Sequence, residues 1–305
     1  MLHREKPILE FWDRSKELSV KNKEYRNFAY RLLSMLLEQD IGKGDISSSS
    51  LIKKDEKISA AIVAKENGIF AGLQEFKLLN NELKIKPLKS DGSEIKKGDV
   101  LAQITGPAGK ILEKERTYLN LLQRMSGIAT LTNELDKKLG NARLTATRKT
   151  LWGCIDKRAV SIGKGLTHRI GLNDGIIVKD NHLEALNYDF KKIINLVKNK
   201  SKYIEIEVED KKQALNAAIA IKNAIKSKTK NLFAIMLDNI GPQEIRTIIE
   251  EMKRRVLYGY VLLEASGNIN PSNFIEYDDC GVDIISMGYI TNSAKSLNLS
   301  QEIEK

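Results

Sequence analysis

The sequence predicts an α/β chain whose second half is a barrel of parallel strands, and three observations carry that prediction. Four apolar runs recur there, YIEIEVED (203–210), LFAIMLDNI (232–240), YVLLEASGN (260–268) and VDIISMGYI (282–290), each reaching a polar or glycine residue. Their marker residues Glu207, Asp238, Glu264 and Gly288 lie 31, 26 and 24 positions apart, the length of a strand–helix unit. Repeated units of that length place strands parallel, joined by right-handed crossovers. Two earlier runs, LTAT (144–147) and GIIVKD (175–180), bring the strands to at least six. No GxGxxG opens a helix after a strand, so a dinucleotide-binding fold loses its main support.

The first half follows a different rhythm. Residues 1–25 form a charged extension with a weak helical pattern. Residues 26–39 carry Phe28, Leu32, Leu33, Met35 and Leu36 at helical spacing, which predicts a helix. After the Gly/Ser-rich stretch IGKGDISSSSLI, the runs ISAAIVAKENGIFAGL, LKIKPL, DVLAQITGP and KILE are read as strands. Turns are expected at Glu66-Asn67-Gly68, Asp91-Gly92 and Gly106-Pro107. The stretch SEIKKGDVLAQITG has the form of a small β-sandwich turn. A biotinyl-type carrier domain would present a lysine between two hydrophobics on a tight hairpin, and this stretch has none. From Glu113 a helix is expected, with Leu112, Leu119, Leu122 and Met125 near one face and Arg116, Asn120 and Gln123 on the other. The expected division is a 1–25 extension, a 26–118 first domain and a 119–305 barrel.

Composition narrows the function classes. Of 305 residues, 42% are hydrophobic and 30% charged, enough apolar material for a real core. No window approaches the roughly 18 apolar residues of a membrane span, and the charged N-terminus lacks a signal-peptide core. Two cysteines, Cys154 and Cys280, are too few for a disulfide framework or a closed zinc site, which points to a reduced, cytoplasmic setting. The net charge is +10. Short clusters such as Lys253-Arg254-Arg255 are diluted by acids and aromatics reach only 6%, so a nucleic-acid surface is not expected. The useful question is whether some of the cations converge.

In barrels of parallel strands, reactive side chains stand at the C-terminal strand ends. Those ends carry Thr147-Arg148-Lys149-Thr150, His168-Arg169 and Lys179-Asp180-Asn181-His182, then Glu207, Asp238, Ser266-Gly267-Asn268 and Met287-Gly288-Tyr289. Cations beside two carboxylates and two small-residue loops suit an anionic substrate, a divalent metal and a phosphate together. Each feature has a plainer account when taken singly. Arg148-Lys149 could be a surface pair, and His168-Arg169 a structural hydrogen-bonding pair. Glu207 could lie on a wet strand face, and Asp238 could cap the following helix. That nearly all fall at successive strand ends favours a shared site.

The ordered set ERTYLNLLQRMSGIAT, TRKT, THRIGLNDGIIVKDNH, IEIEVED, MLDN, LEASGN and GVDIISMGYIT resembles the quinolinate phosphoribosyltransferase family, over residues 28–297. The resemblance implies an N-terminal α/β sandwich domain plus an open α/β barrel of the type II phosphoribosyltransferases, acting as a dimer or higher homo-oligomer with shared sites. It implies transfer of the phosphoribosyl group of phosphoribosyl pyrophosphate (PRPP) to quinolinate, releasing pyrophosphate and CO₂. By position, Thr147, Arg148, Lys149, His168, Arg169 and Lys179 would surround the dicarboxylate, with Arg116 contributed across the dimer interface. Glu207 and Asp238 would hold Mg²⁺ and the ribose hydroxyls. Ser266-Gly267-Asn268 and Met287-Gly288-Tyr289 would cradle the 5′-phosphate, and Lys149 would stabilise or protonate the carbanion left by decarboxylation.

The chain departs from the family pattern at four places. Ala146 stands where Asp usually precedes TRKT, and LWGCIDKRAV, with Trp152, lacks the usual Pro-Gly and Arg. Gly163-Lys164-Gly165 replaces a glycine triplet, and Asn268 a glycine of the phosphate loop. These leave open a related transferase acting on nicotinate or another aromatic acid, or a molybdenum-associated paralogue. A basic RNA-binding relic of the scaffold would have lost Glu207 or Asp238. A Schiff-base aldolase would need Lys179 desolvated, among Asp180, Asn181 and His182.

Overall fold

A computed structural model of the chain describes residues 4–53 and 55–304. The chain forms two units, each assembled from separate stretches: residues 4–14, 135–149 and 165–289 make the first, and 15–134, 150–164 and 290–304 the second.

The apolar runs of the second half become the sheet of the first unit. Six parallel strands are ordered Arg143–Thr145, Ile284–Ser286, Leu262–Ser266, Leu232–Asp238, Tyr203–Val208 and Ile176–Val178. A single parallel bridge from Thr145 to Leu166 extends the Arg143 edge. Helices Phe190–Val197, Lys211–Lys226 and Pro242–Arg254 alternate with the strands, as the repeat length predicts. Period-two alternation turns Ile204, Ile206 and Val208 away from Glu205 and Glu207. The alternative of a wet strand face for Glu207 does not hold, since the acids are buried: Glu205 is 0% exposed and Glu207 8%. The register sets Glu205 beside Ala234 and Ala234 beside Leu262, then Glu207 beside Met236 and Met236 beside Glu264. Side chains of one face are therefore stacked in layers toward the C-terminal strand ends.

The charged extension has a structure that its composition conceals. Residues Glu5–Trp12 are helical, and Ile8, Phe11 and Trp12, spaced i, i+3, i+4, join a buried cluster with Leu166, Ala234, Leu262 and Ile284. Tyr203 packs against Phe11 edge-on at 5.5 Å. Arg4 anchors the helix start by pairing with Asp283, donating to the carbonyls of Tyr258 and Val261, and lying 4.1 Å over the Tyr258 ring.

In the second unit an antiparallel sheet runs Leu299–Glu304, Lys57–Ala64, Val100–Pro107, Lys84–Pro87. The predicted 26–39 helix spans Lys23–Ile41, begun by Asn22, whose side chain accepts from the N–H groups of Glu24 and Tyr25. The reading of KILE as a strand is incorrect: Lys110 to Glu113 lie in the first turns of the 29-residue helix Ala108–Asp136. Two apolar residues between charges satisfy either periodicity, and the run of helix formers after them decides the conformation. Leu119, Leu122 and Met125 of that helix are buried and Arg116 and Asn120 exposed, as their spacing predicts. Gly127 lets residues 295–297 cross the helix closely, since a Cβ there would sit 2.0 Å from the Lys295 carbonyl oxygen.

Candidate active site

The C-terminal strand ends of the first unit enclose a cavity of about 200 Å³. Its lining includes Thr147, Arg148, Lys149, His168, Arg169, Lys179, Glu207, Asp238 and Ser266 from the expected constellation. Met236, Glu264, Ser286 and Ile177 complete it, none of which had been given a site role. A larger hollow of about 610 Å³ lies at the N-terminal strand ends beside Arg4. There Arg4 is paired with Asp283, and Asp278 accepts from the backbone N–H groups of Gly140, Asn141 and Ala142. Those charges are taken up within the scaffold, so the smaller cavity is the candidate site.

Each charged group in the cavity is placed by local backbone structure. The Thr147 hydroxyl accepts the Lys149 N–H at 3.0 Å, turning the TRKT segment at its strand end. Lys179 precedes the helix Asp180–Ala185, and His182 Nδ1 accepts its N–H at 3.0 Å. The Lys179 ammonium reaches Glu207 Oε2 at 2.6 Å with its side chain 46% exposed, which is not the desolvated lysine an aldolase requires. Burial raises the Glu207 carboxyl, Lys179 counters it, and Asp238 and Asp180 add repulsion. Burial followed by the neighbouring Arg148 lowers Arg169, whose guanidinium also donates to the Gly175 carbonyl at 2.8 Å.

Asp238 does not cap the next helix, because that helix begins at Pro242 with Gly241 as its N-cap. Its carboxylate instead accepts the Asn239 side-chain N–H at 2.7 Å and faces the cavity. The Ser266-Gly267-Asn268 loop is tied to Asn239: the Asn239 N–H donates to the Ser266 carbonyl, and the Asn268 amide to Asn239 Oδ1. Gly267 has φ +88°, and a Cβ there would meet Asn239 Oδ1 at 2.3 Å, so glycine is required twice over. Asn268 sits at φ 53°, a conformation Asn tolerates better than most residues. Met287 is buried and its N–H is engaged with the Thr145 carbonyl, which leaves Gly288 and Tyr289 as the outer part of that loop. Arg116 and Lys164 belong to the second unit, Arg116 exposed on the long helix and Lys164 in a left-handed conformation at φ 75°.

Below the cavity lies a buried polar cluster. The Arg169 N–H donates to His168 Nδ1 at 2.8 Å, so Nε2 carries the ring proton and points at Glu264 Oε2 (3.3 Å) and Glu205 Oε2 (3.5 Å). The three side chains have ligand-type atoms within 4.8 Å of one another. With Nε2 acting as donor, the cluster reads as a hydrogen-bonded unit and not a metal ligand set. Burial pushes Glu205 well above the usual carboxyl range, and the neighbouring Glu264 pushes it further. Burial acts the same way on Glu264, but His168, Ser286 and Trp12 together hold it below that range. Among the described residues neither Glu205 oxygen completes a hydrogen bond, the His168 contact being long.

The chain is similar to known proteins over most of its length. Residues 128–302 match the quinolinate phosphoribosyl transferase C-terminal domain and residues 45–126 its N-terminal domain. A probable nicotinate-nucleotide pyrophosphorylase [carboxylating] of Methanothermobacter thermautotrophicus is 37% identical over 283 residues, covering 89% of this chain and 98% of that protein. One from Bacillus subtilis is 36% identical, covering 90% and 92%. The solved nicotinate-nucleotide pyrophosphorylase of Francisella tularensis superposes with a TM-score of 0.79 at 30% identity, covering 91% of this chain and 96% of that one. With both domains matched in order and the strand-end charges gathered in one cavity, the chain belongs to the quinolinate phosphoribosyl transferase family.

Proposed function

We propose that the protein transfers the phosphoribosyl group of PRPP to quinolinate, yielding nicotinate mononucleotide, pyrophosphate and CO₂. The observation that carries this reading is the convergence of Arg148, Lys149, His168, Arg169 and Lys179 with Glu207 and Asp238 in one cavity. Arginine forks bind carboxylates bidentately, and the cations together match a dianion. Arg116 would reach a neighbouring subunit's cavity, making the assembly a homodimer or larger. Ile46 and Leu51, each 81% exposed in the second unit, support association.

Glu207 and Asp238 suit Mg²⁺, since both offer hard carboxylate oxygens on adjacent strands and their mutual repulsion is relieved by a divalent cation. Bound there, it would neutralise charge on the leaving pyrophosphate. The N–H groups of the Ser266-Gly267-Asn268 loop, with Gly288 and Tyr289, would receive the 5′-phosphate. The pyridine nitrogen then forms its bond to the anomeric carbon as the bond to pyrophosphate oxygen breaks. When the adjacent carboxylate leaves as CO₂, the electron pair of the broken bond stays on the ring carbon, where the neighbouring positive nitrogen stabilises it electrostatically. Lys149 delivers a proton to that carbon, and the remaining contribution of the chain is positioning and electrostatics. The two thiols, Cys154 and Cys280, are free, which supports a reducing, cytoplasmic setting.

The test is incubation of pure protein with PRPP, Mg²⁺ and either quinolinate or nicotinate, following mononucleotide and CO₂. Quinolinate consumption with equimolar CO₂ is expected. Consumption of nicotinate alone would overturn the reading.

A further inference from the structure

We infer that Trp12, in the N-terminal extension, is a positioning residue for the active site: through Glu264 and the Thr167–His168 backbone it sets the orientation of His168 and Arg169. The inference rests on the proposed role of that pair in holding the acceptor acid.

The contacts are specific to both the side chain and the backbone of Trp12. Its indole N–H donates to Glu264 Oε2 at 2.7 Å, the same oxygen that faces His168 Nε2 at 3.3 Å. Its carbonyl accepts the N–H groups of Thr167 (3.1 Å) and His168 (2.8 Å). His168 lies at φ 55°, a left-handed backbone that a β-carbon resists and that neighbouring bonds must hold. Two residues on, the Arg14 N–H donates to the Thr167 hydroxyl at 2.7 Å, and the Arg14 guanidinium to Asp174 Oδ1 at 2.8 Å. The other Asp174 oxygen accepts the Ile170 N–H at 2.8 Å. Residues 12–14 thus hold the 167–174 loop near both ends.

A plug for the sheet interior needs only apolar bulk, which phenylalanine would supply. An indole donor aimed at a buried carboxylate beneath the cavity does something else. Glu264 Oε1 has no hydrogen-bond partner among the described residues, so Oε2 carries the polar contacts that fix this side chain. Removing the indole donor takes from Glu264 Oε2 its shortest contact, and the His168 ring, with the Arg169 N–H bonded to it, loses a fixed partner. The effect travels through one atom over three packed residues.

The test compares Trp12→Phe with Phe11→Leu, which perturbs the same apolar cluster without touching the indole donor. Quinolinate KM for Trp12→Phe should rise about tenfold, from loss of one charge-assisted hydrogen bond. KM for PRPP should stay within about twofold of the parent. Phe11→Leu should leave both KM values near the parent even as it lowers the melting temperature. The chain holds 3 histidines, so ring ¹⁵N resonances of His168 are assignable by selective labelling. They should move in Trp12→Phe and not in Phe11→Leu. Equal changes in both variants, or an unmoved His168 resonance in Trp12→Phe, would show a merely structural plug and overturn the inference. Failure of the parent protein to use quinolinate would instead overturn the functional reading, and the His168 resonance would still report on Trp12.

Discussion

Two buried carboxylates, one in each unit, show how the molecule separates holding from acting. Asp156 of the second unit is fully buried and saturated. The Arg124 guanidinium grips both its oxygens, at 2.8 and 2.7 Å, and the N–H groups of Leu151 and Trp152 each donate at 2.9 Å. Arg124 also donates to the Thr291 carbonyl at 3.0 Å, binding the chain's late return to the helix it left. Glu207 of the first unit is nearly as buried, but its contact is one lysine at 2.6 Å, and two further acids crowd it. Burial costs a carboxylate similarly in both places. Where donors from the chain close around the charge, the group is structural. Where repulsion remains and a cavity opens on the charge, the balance is completed by what binds.

The sharpest test of that contrast is Lys149→Ala. A cation facing the cavity should matter little to folding and greatly to turnover, so kcat is expected to fall about 10²- to 10⁴-fold, the span of a positioned acid. The melting temperature should hardly change. Normal turnover by this variant would remove the proton-delivery role from Lys149.

Arg124→Ala should behave in the opposite way. It leaves Asp156 buried with two backbone donors, and breaking one side of a buried pair costs about 3 kcal/mol or more. Chemical denaturation should show the midpoint of the second unit falling, while quinolinate KM of the folded fraction stays near the parent value. A change in KM with unchanged stability would break the division between the two carboxylates.

The smallest expected effect comes from Glu75, which complicates the comparison. It is fully buried in the second unit, accepts the Tyr25 hydroxyl at 2.6 Å, and has one oxygen without a partner among the described residues. Burial raises its carboxyl first, and Asp91 adds to this against the Tyr25 hydrogen bond and the Arg158 charge. A raised folded value means the native state holds a proton the unfolded chain has released. Its contribution to stability is therefore complete below the ordinary carboxyl range and is lost as pH rises through the folded value. Glu75→Gln keeps the acceptor for Tyr25 without the ionisation. It should leave neutral-pH stability within about 1 kcal/mol of the parent or improve it, and flatten that segment of the pH–stability curve. An unchanged slope would show that Glu75 ionises freely, and the second unit would then satisfy its acids without exception.

The alternating runs and their spacing were enough to find the parallel sheet, because side-chain period and connection length are local properties of a strand–helix unit. TRKT, HR and KDNH were legible as strand-end groups for the same reason, and the helix bearing Arg116 was legible from its apolar stripe. The Glu5–Trp12 helix showed only as a weak helical pattern and its burial not at all, although Ile8, Phe11 and Trp12 lay at helical spacing, because dense charges around them look like a solvated tail. The closing strand Leu299–Glu304 was also hidden: with four of its six residues polar, it exists through its antiparallel pairing with Lys57–Ala64, more than 200 positions earlier.

By itself the sequence determined the strand repeat, the ordered charged motifs and the identity of the groups available for chemistry. Only tertiary structure decided which face of IEIEVE turned inward and what surrounds each of its acids. It also joined a tryptophan near the chain start to the oxygen that faces His168. The reason is physical: alternation specifies that two faces differ, but the environment of each face is set by residues far along the chain. Burial, charge and hydrogen bonding are sums over those distant neighbours.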